Sequence, residues 1–282
     1  MNKKIFNERF KNSIEYLKMG SGDKVAIFFL GGPGNTLPKG LASLRFVKAM
    51  KRFADEFTMF LVCRKPNLSE GYSTSDMADD YAELISNEFQ GHVDLIIGYS
   101  YGGLILQHFC AKYPNYADAF VIGGSAHKIS QKAKDIDYNF AKLIAEKNDR
   151  KAMAIRSEAV FQKGMARELF YGFLWIFGKL FLGKITEEQR KDTLIEAEAE
   201  MLYDVSKVLE NIEKPILIVC GQDDFAFLVD DVKEMASKIK NSQLLIYNSD
   251  HSSIIFGKTF YDDVIKFYRK NISSCKKNQI VD

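Results

Sequence analysis

The stretch "LIIGYSYGGLI", residues 95–105, places a serine between glycines directly after an apolar run. The run predicts a buried strand, and the residues after Ser100 predict a helix. Glycines two positions to either side, Gly98 and Gly102, would let the backbone turn sharply without a Cβ clash. The Ser100 hydroxyl would then project at the carboxyl end of the sheet, beside a helix N-terminus. G-x-S-x-G also arises by chance, so the surrounding sequence has to decide whether Ser100 is a nucleophile.

Six short apolar runs, one of them before Ser100, are almost continuous in Val, Ile, Leu or Phe. Such runs predict strands covered on both faces of a parallel sheet. The predicted strands are residues 24–30, 58–63, 93–98, 118–124, 215–221 and 242–248. Helical patterns alternate with them at 41–53, 77–89, 104–113, 229–239 and 257–270. This alternation predicts an α/β fold, a mostly parallel sheet flanked by helices.

The alternation stops between residues 125 and 214, a region without β-branched runs. Thr186 and Gln189 form a capping-box pattern that predicts the start of an amphipathic helix. Apolar residues continue at helical spacing as far as Ile212. The sequence therefore predicts a helical cap over 125–214, inserted into a core made of 1–124 and 215–282.

Composition narrows the function classes. The chain has 282 residues, of which 46% are hydrophobic, and a net charge of +2 with dispersed charges, which predicts a soluble globular protein and no nucleic-acid partner. Its four cysteines form no C-x-x-C pair, so neither a metal site nor a disulfide framework is expected. The N-terminus lacks the apolar stretch of a signal peptide, which favours a cytoplasmic location. No cofactor is expected.

The apolar segment 169–182 is shorter than the roughly 20 residues of a membrane span, so no span is predicted. Its aromatic residues, including Phe173 and Trp175, have two possible roles: lining an apolar substrate pocket, or packing the insertion onto the sheet. His127, just after the fourth predicted strand, is a candidate substrate contact or a structural histidine.

A serine becomes a good nucleophile when a base and an orienting acid lie within reach. Of the four histidines, only His251 follows the last predicted strand, where its loop would lie near Ser100. The preceding strand ends in "CGQDD", which offers Asp223 and Asp224 as the acid. Asp250, beside His251, is a poorer candidate because adjacent side chains in an extended segment diverge.

The loop "FLGGPGN", residues 29–35, follows the first predicted strand. As a phosphate-binding loop it is weak, because no Gly-Lys-Ser/Thr follows. As an oxyanion-binding loop it fits, with the backbone N–H groups of Gly32 and Tyr101 as the two donors.

Together, these motifs resemble the α/β-hydrolase superfamily over nearly the whole chain. The resemblance implies Asp224 rather than Asp223 as the acid, because the family's acid commonly stands fourth in a G-x-x-D pattern. The "GGPGN" turn is similar to the H-G-G-P-G of proline iminopeptidases and related C–C bond and ester hydrolases. In this chain Leu30 replaces the histidine, which removes a supporting side chain and leaves the backbone donors.

The first hypothesis is a serine esterase acting on a small-molecule ester or amide, with a homodimer possible. The alternatives are a proline-iminopeptidase-like aminopeptidase, a C–C bond hydrolase, and a non-catalytic receptor with a hydrolase fold. An aminopeptidase would need acidic residues in the cap to bind the substrate amine. Glu196, Glu198 and Glu200 are available, but their charged helix predicts a solvated face.

Overall fold

Eight strands form one sheet in a computed structural model that describes residues 6–38, 46–51, 53–161 and 163–278. The strands are β1 (Phe6–Arg9), β2 (Glu15–Met19), β3 (Lys24–Phe29), β4 (Phe57–Val62), β5 (Val93–Tyr99), β6 (Ala117–Gly123), β7 (Ile216–Gly221) and β8 (Ser242–Tyr247). Their order across the sheet is β1-β2-β4-β3-β5-β6-β7-β8. Strands β3 to β8 pair in parallel, whereas β1 and β2 form an antiparallel edge beside β4.

The six predicted strands are confirmed, and each end lies within one residue of its predicted position. Strands β1 and β2 were not predicted. Their sequences, "FNER" and "EYLKM", are short and interrupted by charged residues: β1 is the edge strand, and β2, between β1 and β4, buries Tyr16, Leu17 and Met19 but also carries Glu15 and Lys18. They therefore lack the continuous apolar run that marks a central strand.

The helices are α1 (Phe53–Glu56), α2 (Thr74–Glu88), α3 (Tyr101–Lys112), α4 (Gln131–Ala145), α5 (Asp149–Ile155), α6 (Ser157–Val160), α7 (Met165–Leu182), α8 (Glu187–Met201), α9 (Val229–Lys238) and α10 (Lys258–Asn278). Residues 46–49 are also helical. Residues 41–45 and 52 of the predicted helix 41–53 lie outside the described ranges.

Both faces of the sheet are buried, as its apolar strands require. In β3, Ile27 and Phe29 pack into a cluster with residues of α2 and α3, whereas Ala26 and Phe28 pack into a second cluster with residues of α1 and α10. Successive strand residues point to opposite faces, so one continuous apolar run supplies both clusters. The carboxyl ends of the parallel strands are left free for the site.

Helices α4 to α8 lie between β6 and β7 in the chain. Helix α8 begins at the predicted capping box, with both hydrogen bonds between Thr186 and Gln189 present. The prediction that this helix continues to residue 212 was wrong. It ends at Met201, and the Asp204 carboxylate accepts the Ser206 N–H in a local turn, which competes with helix continuation. Leu202 is consequently 82% exposed.

We expect Gly102→Ala to lower the free energy of unfolding by about 3 kcal/mol, because its Cβ would overlap the backbone carbonyl of Phe29 where α3 crosses β3. The control, Gly172→Ala in α7, adds a Cβ that meets nothing within 4 Å and should raise stability by roughly 0.5–1 kcal/mol. Urea denaturation measures both values. Equal effects at the two glycines would contradict this account of the α3–β3 contact.

Candidate active site

Ser100 lies on a sharp turn between β5 and α3. Its backbone has φ 54° and ψ −120°, a left-handed conformation that is unfavourable for a residue with a Cβ. A Cβ on Gly98 would lie 2.5 Å from the Gly102 carbonyl oxygen, so glycine at position 98 is what permits this tight turn. The turn places the Ser100 side chain at the carboxyl edge of the sheet, as the G-x-S-x-G pattern predicts.

His251 connects Ser100 to Asp224. Its Nε2 lies 3.1 Å from Ser100 Oγ, and its Nδ1 lies 2.7 Å from Asp224 Oδ2. The three residues follow β5, β7 and β8, so residues far apart in sequence meet at one sheet edge. A hydrogen-bonded serine, imidazole and carboxylate in this order can move a proton from the hydroxyl to the ring.

Asp224 is buried and firmly oriented. Its Oδ1 accepts the backbone N–H groups of Ala226 at 2.9 Å and Phe227 at 3.0 Å, which leaves Oδ2 for the imidazole. Asp223, in contrast, is exposed. Asp250 accepts the Ser253 N–H within its own turn. Of the three carboxylates considered, only Asp224 contacts His251.

Two aromatic residues hold His251 in place. The Tyr99 hydroxyl donates a hydrogen bond to the His251 carbonyl oxygen, and the Phe227 ring stacks on the imidazole with centroids 5.7 Å apart. These contacts fix both the backbone and the ring of His251.

The glycine loop after β3 lies against Ser100. A Cβ on Gly31 would be 3.9 Å from Ser100 Oγ, and Gly32 lines the same cavity as Ser100. Tyr101 is the first residue of α3, where N–H groups have no partner within the helix. The predicted donors, Gly32 and Tyr101, therefore flank the serine, where a negatively charged oxygen would form.

A buried ion pair between Arg64 and Glu196, which was not predicted from the sequence, supports this loop. Arg64 Nε lies 2.6 Å from Glu196 Oε1, and the two side chains are 1% and 0% exposed. Burial alone would lower the pKa of Arg64, but the adjacent Glu196 carboxylate outweighs burial and raises it. Arg64 is therefore a permanent cation within the protein.

The ion pair holds the glycine loop from both partners. The Arg64 guanidinium donates to the carbonyl oxygens of Leu30 at 3.0 Å and Gly34 at 3.1 Å. Glu196 accepts the Gly34 N–H at 2.7 Å. Arg64 thus supplies side-chain support to this loop, in which Leu30 stands at the position of the histidine of the H-G-G-P-G motif.

The prediction of a solvated acidic face on α8 was wrong for two of its three glutamates. Glu196 and Glu200 are buried, and only Glu198 is exposed. Acidic spacing alone could not show this, because the partner of Glu196 is 132 residues away. A buried charge depends on such a partner, which only the fold supplies.

A cavity of about 350 Å³ lies beside Ser100 and His251. Its apolar lining comes from helices α4 to α7, which lie in the region predicted as the cap, and from the loop after β7, and includes Phe140, Met153, Val160, Phe170, Leu174, Phe225 and Phe227. Phe173 and Trp175, predicted to bind substrate, are not in this lining; their side chains are exposed. Phe170 and Leu174 line the cavity instead, and Phe173, one turn from Phe170, stacks on the Phe170 ring with centroids 6.1 Å apart but remains exposed.

His127, a candidate substrate contact or structural histidine, does not line this cavity. Its ring is buried away from the cavity, 3.4 Å from a carboxylate oxygen of Glu234 on α9. Burial lowers the pKa of His127, which favours the neutral ring. The structural interpretation of this histidine therefore fits its surroundings.

One wall of the cavity is acidic. Asp137 and Glu200 both line it, and Asp137 pairs with Arg156. Glu200 Oε2 is buried and has no hydrogen-bond partner among the described residues. Burial raises the pKa of both carboxyl groups, and Asp137 raises that of Glu200 further. The cavity therefore contains an unsatisfied carboxyl group close to Ser100.

Within the described ranges, no cluster of three or more His, Cys, Asp or Glu side chains could hold a metal ion. Cys63, Cys110 and Cys220 are buried. Burial raises the pKa of Cys220 to about 11 and also raises that of Cys110 well above its ordinary value, so these two thiols are unreactive.

Residues 59–148 match the family model described as "alpha/beta hydrolase fold". Among curated proteins, the chain is 28% identical over 193 residues to the AB hydrolase superfamily protein YisY of Bacillus subtilis (strain 168). That alignment covers 65% of this chain and 69% of YisY.

Two solved structures illustrate the likeness in fold. A hydrolase from Pseudomonas aeruginosa PA01 superposes with a TM-score of 0.69 at 16% identity, over 95% of this chain and 99% of that one. A thermophilic esterase from Thermogutta terrifontis superposes with a TM-score of 0.66 at 18% identity, over 96% of this chain and 99% of that one. Identities this low show a common fold.

We expect Glu196→Gln to lower the free energy of unfolding by about 3–5 kcal/mol, because it leaves the buried Arg64 cation unpaired. The control, Lys238→Ala, breaks an exposed pair with Glu234 and should cost about 1 kcal/mol or less. Thermal or urea denaturation measures both. The double variant Arg64→Met with Glu196→Leu should regain much of the stability, because no unpaired charge remains. Equal losses in Glu196→Gln and Lys238→Ala would contradict this role of the ion pair.

Proposed function

We propose that this chain, which has the α/β-hydrolase fold, is a serine hydrolase that cleaves small or medium-sized carboxylic esters through an acyl-enzyme. The observation that carries the proposal is the hydrogen-bonded series Ser100, His251, Asp224. Its order and spacing suit transfer of the serine proton to the imidazole.

In the proposed first step, His251 Nε2 accepts the Ser100 proton as Ser100 Oγ attacks the ester carbonyl. Asp224 accepts the Nδ1–H, which keeps Nε2 free as the base and stabilises the imidazolium that forms. The N–H groups of Gly32 and Tyr101 stabilise the negatively charged oxygen. Collapse of the tetrahedral intermediate expels the alcohol, which takes its proton from His251.

In the second step, a water molecule takes the place of the alcohol. His251 accepts its proton, hydroxide attacks the acyl carbonyl, and collapse returns the proton to Ser100 Oγ and releases the acid.

The size and lining of the cavity support a small or medium-sized ester as the substrate. The cavity's volume of about 350 Å³ is at the lower end of the range for small-molecule sites, and most of its lining is apolar.

A second candidate is hydrolysis of an amide beside a free amine, as in an aminopeptidase. The unpartnered Glu200 carboxyl group in the cavity favours it, because a protonated substrate amine would supply the missing donor. Asp137 lies on the same wall but already pairs with Arg156. Glu200 is therefore the residue whose substitution separates the two candidates.

We expect Ser100→Ala to lower kcat/KM on p-nitrophenyl esters by about five orders of magnitude or more, because the nucleophile is removed. The matched control is Ser252→Ala, a second serine that lines the same cavity, which should retain most of the activity. Steady-state rates on short and long esters provide the measurement. Equal rates for wild type and Ser100→Ala, or fluorophosphonate labelling of another residue, would contradict the assignment. Binding without turnover by the wild type would favour a receptor.

We expect Glu200→Gln to separate the ester and amine candidates. If Glu200 binds an amine, the ratio of kcat/KM for an aminoacyl ester to that for the matching uncharged ester should fall about 30-fold or more. Glu198→Gln, an exposed glutamate on the same helix, should leave the ratio unchanged. An unchanged ratio in Glu200→Gln would eliminate the aminopeptidase candidate and leave the esterase.

The same variant has an expected effect on stability. Because burial raises the pKa of Glu200, the folded state binds this proton more tightly than the unfolded state does. Stability should therefore fall as pH rises above the ordinary carboxyl pKa of about 4.3, and Glu200→Gln should remove that loss. The free energy of unfolding, measured from pH 4 to pH 8, should show the variant gaining on wild type as pH increases. Parallel profiles for the two proteins would contradict this expectation.

A further inference from the structure

Helix α7 exposes an unusual amount of apolar surface. Four aliphatic or thioether side chains are almost fully in solvent: Met165 at 80%, Leu169 at 70%, Ile176 at 64% and Leu180 at 79%. Phe173, Trp175, Phe177 and Phe181 are also exposed. Contiguous apolar surface of this kind marks an interaction site in folded proteins.

The two sides of α7 have different surroundings. Phe170 and Leu174 point inward and line the cavity beside Ser100. Met165, Leu169, Phe173, Ile176 and Leu180 lie on the other side of the helix at spacings of three, four or seven residues, and we call them the outer face. The same helix therefore separates the cavity from an apolar surface.

Charge flanks the outer face. Residues 163–184 contain four basic side chains, Lys163, Arg167, Lys179 and Lys184, against one acidic side chain, Glu168. Arg167 pairs with Glu168 and Lys179 lies 3.9 Å from an Asp149 carboxylate oxygen, so the remaining positive charge comes from Lys163 and Lys184, beyond the two ends of the outer face. Exposed apolar residues with a basic border are typical of helices that lie in a lipid interface.

The described helices also limit how α7 could meet a membrane. None of them, taken singly, is both long and apolar enough to cross a bilayer. Helix α7 has 18 residues and is followed at 118° by the charged helix α8. A position in the plane of the interface suits this geometry.

We propose that the outer face of α7 docks on a lipid surface that carries anionic headgroups. Apolar side chains enter the acyl boundary while the flanking lysines bind the headgroups. A second copy of this chain fits the surface less well, because pairing two outer faces would bring their lysines together. If the proposed function also holds, esters dissolved in lipid reach Ser100 from the side of the cavity formed by α7.

Trp175 gives a direct test of docking, because it is the only tryptophan in the chain and lies on α7. The Ser100→Ala protein is mixed with vesicles of phosphatidylcholine alone or with phosphatidylglycerol, so that binding is measured without turnover. Docking predicts a blue shift of Trp175 fluorescence and co-sedimentation with the anionic vesicles, both weakened by salt. No shift and no co-sedimentation with anionic vesicles would overturn the proposal.

Variants identify the surface that binds. Leu169→Ser and Leu180→Ser should each weaken partitioning roughly tenfold or more, because each removes a large apolar side chain. The control Leu202→Ser changes a leucine that is just as exposed but lies outside α7. The double variant Lys163→Glu with Lys184→Glu should weaken binding to anionic vesicles. The control Lys240→Glu changes an exposed lysine just before the amino end of β8, outside α7, and should not weaken binding. Binding that is the same in Leu169→Ser, Leu180→Ser and Leu202→Ser would overturn the proposal.

Two further measurements separate other outcomes. Sedimentation velocity without lipid detects self-association, and a dimer abolished by Leu169→Ser, without vesicle binding, would assign the surface to a second copy instead. Turnover of a water-soluble ester should be the same in wild type and Leu180→Ser, since Leu180 lies outside the cavity lining. If the wild-type protein binds anionic vesicles but hydrolyses no ester, the proposed function is rejected while the docking proposal stands.

Discussion

The buried ion pair between Arg64 and Glu196 connects the three parts from which the site is assembled. Arg64 follows β4, Glu196 belongs to the cap helix α8, and both hold the glycine loop after β3. Tyr101, beside the serine, donates its hydroxyl hydrogen to the Glu196 carbonyl oxygen and stacks under the Arg64 guanidinium at 4.9 Å. Displacement of any one part would leave a buried charge without its partner, which is costly, so the parts are held in one arrangement.

The sharp turn at Ser100 also depends on rigid surroundings. A serine at φ 54° is strained, and such a conformation persists only where the surroundings determine it. The Ser100 N–H donates to the Gly123 carbonyl oxygen on β6, and the close approach at Gly102 fixes α3 against β3. The sheet and helix thus hold the nucleophile in a position that a flexible loop would not maintain.

The cap combines buried charge with exposed apolar surface, the reverse of the usual distribution. Glu196, Glu200 and Asp192 are buried on α8, where Asp192 accepts the N–H groups of Asn67 and Leu68. Helix α7 meanwhile leaves most of its large apolar side chains in solvent. The acidic residues are used to attach the cap to the core and to line the cavity, and α7 is left with a surface suited to an apolar environment.

The sequence alone determined the fold class, the six parallel strands, the capping box of α8 and the candidate residues Ser100, Asp224 and His251. These features depend on local composition and chain order, which the pattern of apolar runs and glycines records directly. Only the tertiary structure decided which cap residues face the cavity and which charges are buried. Phe170 lines the cavity whereas Phe173, with the same chemistry, is exposed. Glu196 is buried beside Arg64, 132 residues away in the chain, whereas Glu198 on the same helix is exposed, and only the folded chain supplies such a partner.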